Sequence, residues 1–481
     1  MSTSTSPTPP AAAAAPAPPH RPKAATTRLL RRLHFYAGIL VAPFLLIAAI
    51  SGGLYALAPS AEQFIYRAQL HTDSAGPAQS ISAQIDAARA HRPDLTVDAV
   101  RPATEPGQTT RVLFADPALP ESTRLAVFVD PATLHVQGEL PSYGSSASLP
   151  VRTWIDGLHR DLHLGEPGRL YSEFAASWLW VIALAGLALW VATRRKRPTR
   201  RTGRARTAHW HGLLGVWIVV GLVFLSATGL TWSRYAGQNV TDLRSALHWT
   251  QPTVDTSLVP AAAAAAGHDS HAGHDGHGGA APVGSAAVAD ENAGYADTAL
   301  ALARSAGVGR TDAVEISIPS EADTAFTVTE VRAPWQFSPN TAVVDPARDS
   351  VVGVNWFADW PVAAQWANLG IALHMGILFG LLNQLVLAAL AVALTVVIVF
   401  GYRMWWQRRP RGANRPGRAP DRGALADLPW PAVAAVAVVA IAVGWFIPLL
   451  GWPLLAFLAV DVAVGLWQRR QRPARASSSR T

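Results

Sequence analysis

Six apolar runs, each long enough to cross a bilayer, constrain this chain more than any other feature of its sequence. They cover about 33–57, 171–192, 209–232, 371–402, 429–447 and 449–467, and one crossing takes roughly 20 residues of helix. Half of the residues are hydrophobic, but it is their bunching that matters. Trp190, Trp232, Trp405, Trp406 and Trp467 stand at run ends, where the membrane interface favours amphipathic rings. The first run has a basic flank and an Ala56-Leu57-Ala58 sequence. Its apolar length exceeds that of a signal peptide and it has an internal twin, so it reads as a retained anchor.

The formal net charge of +8 is not a nucleic-acid signature, because of where it is concentrated. Residues 194–206 hold eight Lys and Arg and no acid, and residues 403–422 hold seven Arg and one Asp. Both tails are basic, whereas the long segments 58–170 and 233–370 are net acidic. Short basic loops stay in the cytoplasm. The chain is therefore expected to cross the cytoplasmic membrane several times, with both termini inside and both long segments outside. There are no cysteines, which excludes disulfides and thiolate metal ligands.

The chain also contains its organising unit twice. Adding 177 to His34, Gly38, Ser51, Gly52 and Tyr55 gives His211, Gly215, Thr228, Gly229 and Trp232. The template is His-x3-Gly, an apolar stretch, a small hydroxyl residue, Gly, then an aromatic. Adding 215 to Asp130, Pro131, Gly138, His159, Gly186 and Trp190 gives Asp345, Pro346, Gly353, His374, Gly401 and Trp405. Several matches at one offset indicate duplication. The unit is helix, outer domain, helix; the second copy is longer, largely through a His-rich spacer.

Period-two alternation and turn residues predict strands at 97–100, 111–114, 125–129 and 135–138 after a helix at 82–90. The second copy repeats this, with a helix at 296–306 and strands at 314–318, 325–331, 340–344 and 351–354. The expected fold is an all-α membrane bundle of six transmembrane helices with two small α+β outer domains. Its parts are a disordered cytoplasmic arm (1–27), helix 1 (28–57), outer domain 1 (58–157), helix 2 (158–192), a basic loop (193–208) and helix 3 (209–232). An outer His-rich linker region (233–289), outer domain 2 (290–368), helix 4 (369–402), a second basic loop (403–428), a terminal hairpin (429–467) and a cytoplasmic tail (468–481) follow.

This topology sets His34 and His211 near the cytoplasmic ends of helices 1 and 3, and His159 and His374 at the outer ends of helices 2 and 4. Ionisable side chains in or near a bilayer are functional candidates. Two neutral imidazoles from facing helices form an axial set for haem iron, and helix bundles build cofactor sites in this way. Gly38 and Gly215, one turn along on the His face, leave room for a flat macrocycle. The competing reading of a single His is an interfacial residue, and of the Gly positions close helix packing. Two pairs set by duplication on opposite sides favour haem. His163, four residues after His159, shares its helix face and is an alternative outer ligand; the constant offset favours His159. His209 competes with His211 in the same way. The run His268, His271, His274 and His277 suits weak Cu(II), Zn or Ni binding, or is a polar spacer, the reading adopted here. Asp461, Asn383 and Gln384 are polar at membrane depth without an assigned role. No nucleotide-binding Gly loop or nucleophile–base motif is present.

The segments Leu33-His34-Phe35-Tyr36-Ala37-Gly38 with Ala42-Pro43-Phe44, Leu158-His159-Arg160-Asp161-Leu162 with Gly168-Arg169, His211-x3-Gly215, and Leu373-His374-x-Gly376 with Phe379-Gly380 resemble the PepSY-associated transmembrane-helix proteins. These are also called iron-regulated membrane proteins and include ferric-siderophore reductases of the bacterial inner membrane. The resemblance covers roughly 30–467. It implies outer PepSY domains, two b-type haems on bis-His ligands, and electron transfer across the membrane to a ferric siderophore or other outer ferric substrate, from a cytoplasmic or quinol donor. The His-rich spacer is not part of the pattern. Two other classes compete: a non-redox module whose PepSY domains bind peptides or inhibit a protease, and a metal permease using the His pairs and the His-rich loop as relay ligands.

Overall fold

The computed structural model describes residues 22–193, 203–258, 285–310, 313–409, 420 and 429–476. The first apolar run forms two nearly continuous helices, α1 (Pro22–Leu40) and α2 (Ala42–Ile65). Pro43 has no N–H to offer the Ile39 carbonyl. Hydrogen bonds from Val41 N to Ala37 O (2.8 Å) and from Leu45 N to Val41 O (3.0 Å) carry the helix through the junction. The Tyr402 hydroxyl donates to the freed Ile39 carbonyl at 3.0 Å.

Beyond α2 a short α3 (Arg67–Leu70) leads to α4 (Ile81–His91) and four antiparallel strands: β1 (Thr96–Arg101), β2 (Thr110–Ala115), β3 (Thr123–Val129) and β4 (Val136–Tyr143). Helices α5 (Pro150–Asp161), α6 (Glu166–Thr193), α7 (Gly203–Leu230) and α8 (Tyr235–Ala246) follow. The second copy supplies α9 (Ala286–Ala293), α10 (Ala296–Ser305), β5 (Val314–Ser317), β6 (Phe326–Glu330), β7 (Thr341–Asp345) and β8 (Ser350–Asn355). Last come α11 (Val362–His374), α12 (Leu381–Trp406), α13 (Trp430–Phe446) and α14 (Pro448–Ala476).

Helices α2, α6, α7 and α12 are long and apolar enough to cross a membrane; two further apolar helices, Trp430–Phe446 and Pro448–Val460, are shorter. α6 packs on α7, α12 on α2 and α7, and α1 on α6. Their shared core includes Val41, Leu45, Trp178, Leu222 and Leu394. The strands lie at the end where α2 and α7 finish and α6 and α12 begin. Arg204, Arg206, Arg403, Arg408 and Arg409 mark the opposite end.

The predicted strands all form, but the two outer units are not separate domains. They join into one eight-stranded antiparallel sheet, ordered β4-β3-β2-β1-β5-β6-β7-β8. The seam pairs Ala99 with Ser317 and Val100 with Ile316. A single core runs across it, with Val100, Val112 and Phe114 from one copy beside Ile316, Val328 and Val344 from the other. Burying two half-sheets this way removes one exposed edge from each. The duplication extends to irregularities: the β3–β4 register shifts between Phe128 and Val129, and the β7–β8 register between Val343 and Val344.

A second departure concerns the expected helices 2 and 4. Neither is continuous from its histidine. Leu162 and His163 adopt positive φ (55° each), the Asp161 carboxylate accepts from the His163 N–H at 2.9 Å, and the chain turns before α6. A Cβ on Gly168 would lie 1.7 Å from the Asp161 carbonyl oxygen, so only glycine closes this turn. In the second copy Gly376 (φ 77°) and Gly380 (φ 57°) break the chain between α11 and α12. Residues 159 and 374 thus belong to short helices beside the spanning ones.

Candidate functional site

Each of the four histidines predicted as ligands is held through Nδ1. The His34 Nδ1 lies 3.0 Å from the Ile182 carbonyl, and the His211 Nδ1 lies 2.9 Å from the Val397 carbonyl. A carbonyl can only accept, so Nδ1 carries the proton in both rings and Nε2 keeps its lone pair. These contacts are copies of one another: 34 and 211 differ by 177, and 182 and 397 by 215.

The outer histidines use hydroxyls instead. His159 Nδ1 is 2.9 Å from Ser51 Oγ, and His374 Nδ1 is 2.6 Å from Thr228 Oγ1. Ser51 already donates to Ile47 O at 2.9 Å, and Thr228 to Phe224 O at 2.8 Å. Their hydroxyl protons are committed to the helix backbone, so each oxygen accepts from the imidazole. The tautomer is again Nδ1–H, and Nε2 is the free donor atom. Fixing a ring by its distal N–H is how proteins orient metal-ligating histidines and raise their basicity. Ser51 and Thr228 are the small hydroxyl positions of the repeated template, and the fold gives those positions their purpose.

Glycines admit the rings. A Cβ on Gly52 would meet the His159 Cε1 at 2.9 Å, and one on Gly186 would meet the His34 Cε1 at 2.9 Å. Gly38 and Gly215, four residues past His34 and His211, face open space with nothing within 4 Å. Neither glycine is packed against a neighbouring element.

The inner rings lie close together, with centroids 6.1 Å apart and planes at 73°. The two free Nε2 atoms are a donor set of the kind a bis-imidazole metal centre would use. The outer rings meet α2 and α7 at the Ser51 and Thr228 level. Gly376, two residues beyond His374, approaches α2 closely enough that a Cβ would lie 3.1 Å from the Ala56 oxygen. Trp232, the aromatic that closes the template, packs edge-on to His374 at 5.6 Å.

His163, the alternative outer ligand, stands apart from His159. It is exposed past the positive-φ turn and stacks on the exposed Trp154, with centroids 5.1 Å apart. Of the three polar residues left unassigned by sequence, Asn383 and Gln384 are structural supports, and the Asp461 side chain lies outside what the structure describes. Asn383, buried, donates to the Leu373 carbonyl at 2.9 Å and holds the end of α11 beside His374. Gln384, also buried, accepts from Ser60 of α2 at 2.7 Å. Glu173 is buried in α6 and accepts from the Tyr235 and Ala236 N–H groups, which satisfies the first turn of α8. The run His268, His271, His274 and His277 lies outside the described residues. Among the described residues no three His, Cys, Asp or Glu side chains gather into a metal-binding group; His34 and His211 meet as a pair.

No curated protein matches the sequence. The model of the PepSY-associated TM region matches residues 31–408, a span holding all four buttressed histidines and both halves of the sheet, and the chain belongs to that family.

Proposed function

We propose that the chain is a di-haem b oxidoreductase of the cytoplasmic membrane that carries electrons outward to a ferric substrate, in the setting of ferric-siderophore reduction during iron uptake. The observation that carries this reading is the fourfold repetition of one device: an imidazole fixed as the Nδ1–H tautomer with Nε2 left as a ligand, twice at each end of the bundle. His34 and His211 would hold one group, His159 and His374 the other. A bound haem supplies a one-electron Fe(III)/Fe(II) couple. Residues of the chain then do three things. The Ile182 and Val397 carbonyls and the Ser51 and Thr228 hydroxyls fix ring orientation. Gly38 and Gly215 leave space beside the inner rings. The apolar helix faces keep water from the path between layers.

With the basic ends in the cytoplasm, the sheet lies outside and the shorter terminal helices complete six spans. The acceptor is reduced on the sheet side, each ferric ion taking one electron. The donor is a cytoplasmic reductant or a membrane quinol on the other. No proton transfer by the chain is required.

The test is a reduced-minus-oxidised visible spectrum of the purified protein with a haem-to-protein ratio. The expected result is a b-type spectrum and two haems per chain. Colourless protein would sink the reading and favour a peptide-binding module or a metal permease.

A further inference from the structure

Outward of the outer imidazole pair, the fold buries more positive charge than it neutralises. Arg152 of α5 is only 4% exposed. Its one ion pair, Nη1 to Glu62, is long at 3.7 Å, and its Nε and Nη2 have no partner. The guanidinium lies over the Tyr55 ring at 5.6 Å. The loop between β4 and α5 gathers further arginines. Arg332 donates to the Ser145 Oγ at 3.4 Å and has an unpartnered buried Nε. Arg111 reaches the Ala147 carbonyl at 3.4 Å. Burial, with the nearby charges of Arg101 and Arg152, lowers Arg111 to about 10. Arg101 itself is taken up by Glu315 at 2.6 Å. Among the described residues Glu62 forms the ion pair with Arg152 and also acts on Arg111, Asp156 lies one turn along α5 near the same Tyr55, and neither Arg111 nor Arg332 forms an ion pair.

Buried cations without partners are costly, and an anion relieves that cost. Two helices fix where the layer lies. Arg152 and His159 are seven residues apart on one face of α5, and Tyr55 and Ser51 are four apart on one face of α2. The cationic layer is therefore one to two turns outward of the imidazole layer, about 6 Å along α2.

We propose that Arg111, Arg152 and Arg332 form a binding site for a carboxylate anion, placed directly outward of His159 and His374. The proposal rests on the function given above. The carboxylate belongs either to a haem held by the outer pair or to an incoming ferric chelate.

The experiment compares full-length wild type with Arg332→Gln, Arg332→Lys, Arg152→Gln and Arg152→Lys, using ferric citrate and an uncharged ferric hydroxamate as substrates. If the chelate supplies the carboxylate, the Gln variants raise KM for ferric citrate about tenfold or more, and kcat and the hydroxamate KM hold. If the haem supplies it, both KM values hold and the outer haem midpoint falls. The Lys variants recover part of either effect. Unchanged KM values and midpoint in both folded Gln variants overturn the proposal. Should wild type prove colourless, the haem reading fails by itself. Calorimetry with citrate then decides the site: binding lost in Arg332→Gln supports it, and no binding to wild type overturns it.

Discussion

At the scale of single residues, the site depends on which nitrogen of each imidazole is occupied. The sequence exposes the four histidines through their constant offsets, and it marks Ser51 and Thr228 as positions of the same template. It does not reveal that these hydroxyls face His159 and His374, because that pairing joins residues more than a hundred positions apart. His159 and His163 are equivalent by spacing on one helix; the positive-φ turn at Leu162 separates them, and such a turn at Leu and His is not legible from residue type. The glycines give a graded test. Gly186 and Gly401 occupy equivalent positions, yet a Cβ at the first would meet His34 at 2.9 Å and at the second would meet His211 at an ordinary 3.7 Å. Gly186→Ala should displace the His34 ring, cost about 1–3 kcal/mol of stability and, on the proposed function, lower inner-haem content. Gly401→Ala should do neither. Thermal melts and haem-to-protein ratios of the two variants check this, and equal behaviour would count against the Gly186–His34 contact.

At the scale of elements, most strands follow from period-two alternation to within a few residues, β4 running further, to Tyr143; four of the six apolar runs correspond to helices long enough to cross a membrane, but α2 continues to Ile65 and α12 begins only at Leu381. In the sequence α5 and α11 run toward α6 and α12 with only a few residues between, four in the first copy and six in the second, so each reads as the outer end of its spanning helix. The punctuation is present: Gly165, Pro167 and Gly168 stand among charged residues in the first copy, whereas Gly376 and Gly380 of the second are isolated glycines in apolar sequence, where they are weak breakers. The seam between the half-sheets was likewise hidden, since edge strands carry no label for their neighbour. An ion network crosses it: Glu315 of β5 pairs with Arg101 of β1 at 2.6 Å and with Arg124 of β3 at 3.0 Å, and Arg124 also reaches Asp98 at 2.8 Å. Burial acts to raise the Glu315 carboxyl, but the Arg101 and Arg124 charges outweigh it and hold the group below its ordinary 4.5. A carboxylate depressed in the fold contributes stability that is fully present above the ordinary value and is lost as pH falls through the lower, folded one. The sheet should therefore weaken in acid below about pH 4.5. Glu315→Gln should cost about 1–3 kcal/mol at neutral pH and flatten this part of the acid transition. Circular dichroism melts across pH test it; an unaltered acid profile in the variant would remove Glu315 from the cause.

At the scale of the whole molecule, duplication yields two imidazole layers joined by the same pair of helix paths. The path from α1 through α2 runs from His34 to Ser51, where His159 is held; α7 runs from His211 to Thr228, where His374 is held. Each path is 17 residues, roughly 25 Å of helix, which nearly spans a hydrocarbon core of about 30 Å. No histidine of one layer can therefore share a metal ion with the other layer. On the proposed function, His211→Ala should lower the haem stoichiometry from two to one and leave the outer centre intact. His34→Ala should do the same, because the two rings act on one centre from either side. Electrons from a cytoplasmic donor would then lack their first stop, so reduction from that side should fail, while dithionite added from outside still reduces the remaining haem. His209→Ala should change little: it has no counterpart in the first copy, where Arg32 holds the equivalent position. A full complement of haem in His211→Ala, or its loss in His209→Ala, would break the pairing of His34 with His211, and the two-layer path with it.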